Sequence, residues 1–223
     1  WEIRMKITEL FDLSKSIAEP LLARFIYPEG VFVYLSDFIC ALGPSLDKNK
    51  YVETEKNVWI AKSATVAKSA LILPPAIIGE NAEIRHSAYI RGSVIVGNSA
   101  VVGNSSEIKN SILFDKVQVP HFNYVGDSIL GYASHLGAGA VTSNVKSDKS
   151  HVSVVRDGEK ISVGRKKLGA IVGDFVEVGC GAVLCPGTII GKGSTIYPLS
   201  LVRGTVPENS IFKDKDNIIT KNN

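Results

Sequence analysis

The chain has 223 residues, of which 45% are hydrophobic and 21% are charged, enough for one or two domains with a packed core. Its 25 Lys and Arg residues are balanced by 22 Asp and Glu residues, which argues against a nucleic-acid-binding protein. Three cysteines are too few for a disulfide scaffold and favour reduced thiols in a cytoplasmic protein. We expect no membrane partner, since charged residues and a proline interrupt the most apolar stretch, residues 21–42. We also expect no secretory signal, since the start lacks a basic region followed by an apolar one.

Residues 1–57 precede a regular repeat and are predicted to form a helical segment and linker. Apolar residues recur at mostly helical spacing over residues 5–26, with Pro20 as a break, which predicts short helices packed on the first coil of the repeat. Met5 is the only methionine, which favours a native start there with other residues added ahead of it. A mostly polar stretch then leads into the repeat.

From residue 58 onward, an aliphatic residue recurs every six positions. In a first run, eleven of thirteen steps are six residues long and two are five; a second run keeps six throughout. Small or β-branched residues often stand four positions later. The aliphatic positions are Ile60, Val66, Ile72, Ile78, Ile84, Ile90, Val96, Val102, Ile108, Leu113, Val119, Val125, Leu130 and Leu136, then Val172, Val178, Leu184, Ile190, Ile196 and Val202.

A period of six is typical of short strands joined by tight turns, because it fits neither a helix nor a simple alternation. Each hexapeptide forms one flat side of a coil, and three sides close a turn of about 18 residues that stacks on the next at roughly 4.8 Å. The predicted fold is an all-β, left-handed parallel β-helix over residues 58–212, followed by a tail over 213–223. An ordinary β-sandwich with chance spacing is the weaker alternative.

The repeat is interrupted over residues 143–168 and then resumes in frame. Two short β-like stretches flank an Asp-Gly pair at residues 157–158, which predicts an inserted β-hairpin. Long insertions from a rigid scaffold are often functional. Its basic residues predict a positively charged arm, and they are Lys146, Lys149, Arg156, Lys160, Arg165, Lys166 and Lys167.

Stacking of the coils predicts which side chains meet. Arg91 and Lys109 are 18 residues apart and should lie on one ladder, where two cations repel unless an anion separates them. We interpret the pair as a candidate phosphate site, and two solvated surface cations are the equally weighted alternative.

His121 should face outward at a turn, stacked between Asn104 and Ala138. Imidazole accepts protons near neutral pH, so an outward histidine near a phosphate site is a candidate general base. A surface histidine with a structural hydrogen bond is the ordinary alternative. The other histidines show no spacing that gathers three imidazoles, so we expect no metal site.

Three segments carry a family resemblance, and they comprise residues 103–110, 120–127, and 136–139 with Asn144. They resemble the acetyltransferase domain of the bifunctional N-acetylglucosamine-1-phosphate uridyltransferase and glucosamine-1-phosphate acetyltransferase family. The resemblance extends over about residues 58–212 and includes both five-residue steps. The end of the insertion, residues 161–170, is more similar to the archaeal sugar-phosphate members.

The resemblance implies a homotrimer that binds acetyl-CoA between subunits and acetylates an amino-sugar 1-phosphate without a catalytic metal. His121 would be the general base that deprotonates the substrate ammonium. The residues implied to bind the acceptor are Arg91, Lys109, Tyr124, Asn144, Lys149 and Lys167. Those implied to line the acetyl-CoA groove are Ala138, Gly139, Cys180, Pro198 and Lys215.

The sequence also departs from that family. His135 replaces an asparagine that contacts the sugar, and residues 143–147 differ from the usual segment. No glycine-rich nucleotide-binding loop is present, so we do not expect this chain to make a UDP-sugar, and a separate nucleotidyltransferase is a candidate partner. The predicted function is acetyl transfer to glucosamine-1-phosphate. Three alternatives are an acyltransferase with another acceptor, such as a nucleotide-linked amino sugar, a γ-type carbonic anhydrase, and a non-catalytic assembly or regulatory module.

Overall fold

The computed structural model describes residues 5–156 and 158–221, so the predicted added residues ahead of Met5 lie outside the described residues. Strands form a parallel β-helix of about 8 turns, left-handed and all-β as predicted. Within the described residues, no helix is long and apolar enough to cross a membrane. The α-helices found there are Ile7–Leu10, Glu19–Leu22 and Leu35–Leu42, and the 3-10 helices are Leu13–Lys15, Pro28–Val33 and Gly43–Ser45.

The β-helix has three flat faces. The parallel strands of the first face are Val58–Ala61, Ala76–Ile78, Val94–Val96, Ser111–Leu113, Ile129–Leu130, Ala170–Val172, Thr188–Ile190 and Thr205–Val206. Those of the second face are Thr65–Val66, Glu83–Ile84, Val101–Asn104, Gln118–His121, His135–Leu136, Glu177–Val178, Thr195–Ile196 and Ser210–Asp214. Those of the third face are Leu71–Ile72, Tyr89–Ile90, Glu107–Lys109, Tyr124–Gly126, Val141–Thr142, Val183–Leu184 and Leu201–Val202.

Each end of the β-helix carries one strand of opposite direction. Tyr51–Glu55 pairs antiparallel with Val58–Ala61 on the first face. Asn217–Thr220 pairs antiparallel with Ser210–Asp214 on the second face. The stack therefore stops at both ends with a strand that runs against the direction of the coil.

The register of the turns confirms the repeat. Ala76 pairs with Val94 at an offset of 18 residues, whereas Val94 pairs with Ser111 at 17, because each five-residue step shortens the turn that contains it. From Ile78 onward, every residue of the predicted inward row is 1% exposed or less. The aliphatic row therefore forms the core of the prism, as the period of six predicts.

The insertion leaves that register intact. Ile129 pairs directly with Ile171, so the coil continues in register across the insertion. The predicted hairpin is present as Ser153–Arg156 against Glu159–Ser162, while Asp157 lies outside the described residues. Its first strand folds back onto the first face, where the Thr205 hydroxyl donates to the carbonyl of Val155 over 2.8 Å.

The first face carries a second apolar row that points outward. Its residues stand one position before the inward row and therefore lie on the opposite side of each strand. All of them are 4% exposed or less, and they are Trp59, Ile77, Ile95, Ile112, Ile129, Ile171 and Ile189. The N-terminal segment and the inserted hairpin cover this row, which explains why both are apolar on one side.

The helices predicted over residues 5–26 pack on later turns, so the prediction that they pack on the first coil is wrong, whereas Gly43, after the third α-helix, packs against Trp59 of the first coil. The backbone nitrogen of Asp174 in the sixth turn donates to Leu10, and the rings of Phe11 and Phe114 lie 5.0 Å apart. Farther along, Lys50 pairs with Glu80 of the second turn at 3.0 Å. The segment runs the length of the first face because the outward apolar row extends along all of it.

Asp174 attaches the N-terminal segment to the β-helix, and its replacement tests how much this attachment adds to the stability of the fold. Its carboxylate is 1% exposed and accepts hydrogen bonds from the backbone nitrogens of Asp12, at 2.7 Å, and Tyr132, at 2.8 Å. Burial raises the pKa of Asp174. Replacing Asp174 with alanine leaves two backbone donors without an acceptor, so we expect a loss of about 2 kcal/mol and a melting temperature about 4 to 8 °C lower.

Calorimetry would measure the shift, with Asp216→Ala as the control because its side chain is 81% exposed. Hydrogen exchange should increase first at residues 7–16, since these lose their attachment to the sixth turn. Equal melting temperatures for the two variants would show that Asp174 does not hold the segment.

Candidate active site

The corner between the second and third faces, here called the second corner, carries His121 and most of the predicted cofactor-binding residues. The carbonyl of His121 accepts from the nitrogen of Gly139 at 3.0 Å, and the carbonyl of Ala138 accepts from Gly181 at 2.8 Å. One turn farther, the carbonyl of Cys180 accepts from Leu199 at 2.9 Å. These bonds form one ladder, so His121, Ala138, Gly139 and Cys180 lie on successive turns of the same corner.

His121 is exposed and pairs with Asn104, as the coil spacing predicts. Its backbone nitrogen donates to Oδ1 of Asn123 at 3.0 Å. Asn123 is 3% exposed, and its Nδ2 donates to the carbonyls of Gly137, at 2.8 Å, and Ala140, at 2.9 Å. Asn123 therefore ties His121 to the turn that carries Ala138 and Gly139.

Asn123 was not among the residues predicted from the sequence, although a signal for it was present. Asn123 stands four positions after the inward Val119, in the row otherwise held by small residues such as Ser106 and Ala140. A buried amide must find hydrogen-bond partners, so its presence in that row indicates a specific linkage between turns.

The second corner also exposes two bulky apolar residues in a left-handed backbone conformation. Phe122 has a φ of 51° and is 64% exposed, and Leu199 has a φ of 60° and is 84% exposed. Between them, Gly139 and Gly181 occupy the same corner with φ values of 71° and 67°. Gly139 leaves bare backbone, and the Leu199 side chain lies over Gly181, where a Cβ would be 2.8 Å from its Cδ2. This surface is suited to an extended ligand that lies along the axis of the β-helix.

Tyr124 and Asn144 form the polar part of the candidate site on the third face. Nδ2 of Asn144 lies 3.2 Å from the Tyr124 hydroxyl and 2.5 Å from Oδ2 of Asp127. Asp127 is 2% exposed and also accepts from Nδ2 of Asn110 at 2.6 Å. Burial, together with the charge of Asp127, raises the pKa of Tyr124, so the phenol keeps its proton.

Arg91 and Lys109 lie on neighbouring turns of the third face, as predicted, but Arg91 does not require a bound anion. Its Nη1 lies 2.6 Å from Oε1 of Glu107, a hydrogen bond that raises the pKa of Arg91. Glu107 was missed because its position on the neighbouring turn gives no sign of which way its side chain extends. Lys109 forms no ion pair within residues 5–156 and 158–221, so it carries the unpaired positive charge of this pair.

The basic arm returns to the site at its end. The nitrogen of Leu168 donates to the backbone carbonyl of Asn144 at 3.0 Å, and Lys167 forms a β-bridge with Val145. Lys149 lies in an exposed turn, where its backbone nitrogen donates to the carbonyl of Lys146 at 3.0 Å. Lys167 therefore stands beside Asn144 in the backbone, whereas Lys149 lies in the more distant part of the arm.

The remaining sequence-predicted residues are less central. Pro198 follows Cys180 on the next turn of the second corner and packs against Gly179. Lys215 lies in the turn of the C-terminal hairpin, is 86% exposed and pairs with Asp216 at 3.7 Å. His135 lies on the second face, where its Nδ1 is 2.8 Å from Oε2 of Glu177. Cys180 is exposed and Cys185 is buried.

Within the described parts of the chain, no group of three or more His, Cys, Asp and Glu side chains is arranged to hold a metal ion. The candidate site therefore has two parts: a histidine on a corner of bare and apolar backbone, and a tyrosine, an amide and an unpaired lysine along the third face. Such an arrangement can remove a proton from a bound group and can hold polar and anionic parts of a ligand.

A family described as the GMPPB C-terminal domain matches residues 72–219. A bifunctional sugar-1-phosphate nucleotidylyltransferase/acetyltransferase of Sulfurisphaera tokodaii is 37% identical over 103 residues, which cover 46% of this chain and 26% of that protein. The bifunctional protein GlmU of Methanococcus maripaludis is 37% identical over 112 residues, which cover 50% of this chain and 27% of that protein. The aligned segment thus spans about a quarter of the length of these curated relatives.

Solved structures with a similar fold include PerB from Caulobacter crescentus in complex with CoA and GDP-perosamine. It is 20% identical, with a TM-score of 0.36, and the match covers 73% of this chain and 56% of PerB. A putative acetyltransferase of Bacillus cereus is 17% identical, with a TM-score of 0.39, and the match covers 73% of this chain and 76% of that one. At this level of identity, the likeness concerns the fold alone.

Proposed function

The chain belongs to the family described as the GMPPB C-terminal domain, and from this premise we propose that it transfers an acetyl group from acetyl-CoA to the amine of an amino-sugar phosphate. Glucosamine-1-phosphate is the first acceptor that we propose. The resemblance to bifunctional sugar-1-phosphate nucleotidylyltransferase/acetyltransferases supports this reaction class. The aligned segment is a small part of those relatives, so we propose acetyl transfer alone for this segment.

One observation carries the proposal: His121 shares a single hydrogen-bonded ladder with Ala138, Gly139 and Cys180. A thioester bound along the bare backbone of the second corner would lie close to this imidazole. Phe122 and Leu199 supply apolar contacts at the two ends of that backbone. The residues of the second corner therefore fit the long, extended arm of acetyl-CoA.

In the proposed mechanism, the imidazole of His121 accepts a proton from the ammonium group of the acceptor. The free amine then attacks the thioester carbonyl, a new C–N bond forms, and the C–S bond breaks with release of the CoA thiol. The second proton lost by nitrogen goes to the departing sulfur. Cys180 has no base beside it among its contacts on the second corner, so direct transfer is favoured over an acetyl-cysteine intermediate.

The third face would bind the acceptor. Lys109 supplies the positive charge for the phosphate, and Lys167 at the end of the arm lies beside Asn144. Arg91 contributes less charge than the sequence analysis expected, because Glu107 neutralises it. Lys149, in the distant part of the arm, would contribute to a site on a neighbouring subunit.

We propose a homotrimer in the cytoplasm, with the second corner and the third face at the subunit interface. The exposed apolar side chains on that side support self-association, and they include Leu71, Phe122, Leu199 and Leu201. The first face is excluded from the interface because the N-terminal segment covers it. We keep residues 1–57, 58–212 and 213–223 as the proposed division of the chain.

The test is release of free thiol from acetyl-CoA by the purified protein, with glucosamine-1-phosphate, galactosamine-1-phosphate and a nucleotide-linked amino sugar as acceptors. Turnover with either sugar phosphate supports the proposal and ranks the acceptors. Turnover only with the nucleotide-linked sugar would show that the acceptor is different while acetyl transfer remains the reaction. A folded protein that fails to bind acetyl-CoA in calorimetry would indicate a non-catalytic module, which the match to a terminal domain family also accommodates.

A further inference from the structure

Asp127 is a buried carboxylate at the edge of the candidate acceptor site, at the corner between the third and first faces. It lies midway in a column of three residues spaced 17 apart, Asn110, Asp127 and Asn144. Its side chain is 2% exposed and accepts one hydrogen bond from the amide on each side, at 2.6 Å and 2.5 Å. The carboxylate thus lies between two amides, and Asp127 is not one of the inward aliphatic residues that form the core.

The carboxylate determines which way the Asn144 amide faces. An ionised carboxylate only accepts hydrogen bonds, so the nitrogen of Asn144, not its oxygen, must face Asp127. The same nitrogen donates to the Tyr124 hydroxyl at 3.2 Å. Both amide protons are therefore used inside the protein, and Oδ1 of Asn144 remains as the group that a ligand meets.

Tyr124 complements this arrangement. Because its oxygen accepts from Asn144, its own proton is available to a ligand. The raised pKa of Tyr124 keeps that proton in place at neutral pH. The site therefore presents an acceptor, Oδ1 of Asn144, next to a donor, the Tyr124 hydroxyl.

Two further observations indicate that the Asp127 side chain does more than hold the backbone of the corner in place. The Asp127 backbone is already held, since its nitrogen donates to Lys109 at 3.0 Å and its carbonyl accepts from Gly169 at 2.8 Å. A Cβ at Gly126 would lie 2.5 Å from the Tyr124 hydroxyl and 2.9 Å from Nδ2 of Asn144. The third face therefore lacks a side chain at the place where these two polar groups meet.

We propose that Asp127 is a positioning residue that fixes Asn144 with its carbonyl oxygen toward the acceptor. The site then selects an acceptor that offers a hydrogen-bond donor, an ammonium or a hydroxyl, beside its phosphate. This inference rests on the proposed function of the site. It assigns to Asp127 no contact with the substrate, only control of the group that makes the contact.

The test exchanges the hydrogen-bond donor and acceptor between residues 127 and 144. In Asp127→Asn, residue 127 can itself donate, so Asn144 is free to turn its nitrogen outward. We expect the KM for glucosamine-1-phosphate to rise at least tenfold, while the KM for acetyl-CoA changes less than twofold. In the double variant Asp127→Asn with Asn144→Asp, an amide faces a carboxylate again and an oxygen faces the acceptor. A carboxylate at position 144 cannot donate to Tyr124 and adds negative charge near the phosphate, so we expect partial recovery, with a KM at least threefold below that of Asp127→Asn.

The matched control is Asp115→Asn. Asp115 accepts from the side chain and backbone of Asn98 one turn away, a comparable stack on another corner. Its substitution should leave both KM values unchanged. An unchanged acceptor KM in Asp127→Asn, or no recovery in the double variant, would overturn the inference while leaving the proposed function in place.

Calorimetric binding of glucosamine-1-phosphate to the same four proteins gives a readout that does not require turnover. If wild type binds the sugar phosphate without acetylating it, the proposed function fails, and the loss of affinity in Asp127→Asn still decides the inference. If wild type does not bind it at all, both fail. Weakened binding in Asp127→Asn with recovery in the double variant supports the role of Asp127 in either case.

Discussion

Replacing His121 with alanine is expected to lower kcat/KM for acetyl transfer by about 10²- to 10⁴-fold, the range typical of removing a general base. His121 is the histidine of the second corner that stands on the same ladder as Ala138, Gly139 and Cys180. Its side chain is exposed, so its removal should leave the melting temperature within about 2 °C of wild type. Initial rates of thiol release and calorimetry would measure the two effects.

His86→Ala is the matched control. His86 lies on the second corner two turns away, is exposed, and has its Nδ1 at 2.6 Å from the hydroxyl of Ser69. Its loss should change kcat/KM less than twofold. Equal losses in the two variants would mean that the corner, rather than the imidazole of His121, supports the reaction.

Gly103→Ala is expected to be the most destabilising single substitution considered for this chain. A Cβ at Gly103 would collide with the backbone of Pro120, including its carbonyl oxygen, on the next turn. Stacked turns lie roughly 4.8 Å apart, and neither backbone can yield without parting the two coils. We expect a loss of more than about 4 kcal/mol, which lowers the melting temperature by about 10 °C or more.

The control for this substitution is Gly164→Ala, at the end of the insertion. A Cβ there would meet nothing within 4 Å, and its φ of 68° alone costs about 1 kcal/mol. Thermal unfolding should therefore separate the two variants by several degrees. Acetyl transfer should also fall in Gly103→Ala, because Pro120 directly precedes His121. Similar melting temperatures would show that the coils can part cheaply at this point.

The position of His121 could be predicted because a coil of fixed period turns sequence distance into spatial distance. A residue 17 or 18 positions away lies on the adjacent turn, so the pairing of His121 with Asn104 follows from counting. The same counting brings Arg91 beside Lys109. The inward row is predictable for the same reason, since each aliphatic residue repeats one environment.

Counting does not give the direction of a long side chain or the course of a segment outside the repeat. Glu107 reaches Arg91 at 2.6 Å, and this contact depends on rotamers that the period does not fix. The N-terminal segment binds through Asp174, which is 162 positions from its partner Asp12. The outward apolar row on the first face can be read from the sequence. The sequence alone does not show that the N-terminal segment and the inserted hairpin cover it.

The two reversed strands at the ends of the molecule limit how it can grow. A stack of identical parallel coils offers the same open edge after every turn, and nothing in the repeat itself defines a last one. Tyr51–Glu55 and Asn217–Thr220 close one edge each, because an incoming parallel coil finds its hydrogen-bonding groups already taken by an antiparallel neighbour. Tyr51–Glu55 thus covers the outer edge of the first face and Asn217–Thr220 that of the second, so a further parallel coil cannot pair with Val58–Ala61 or with Ser210–Asp214.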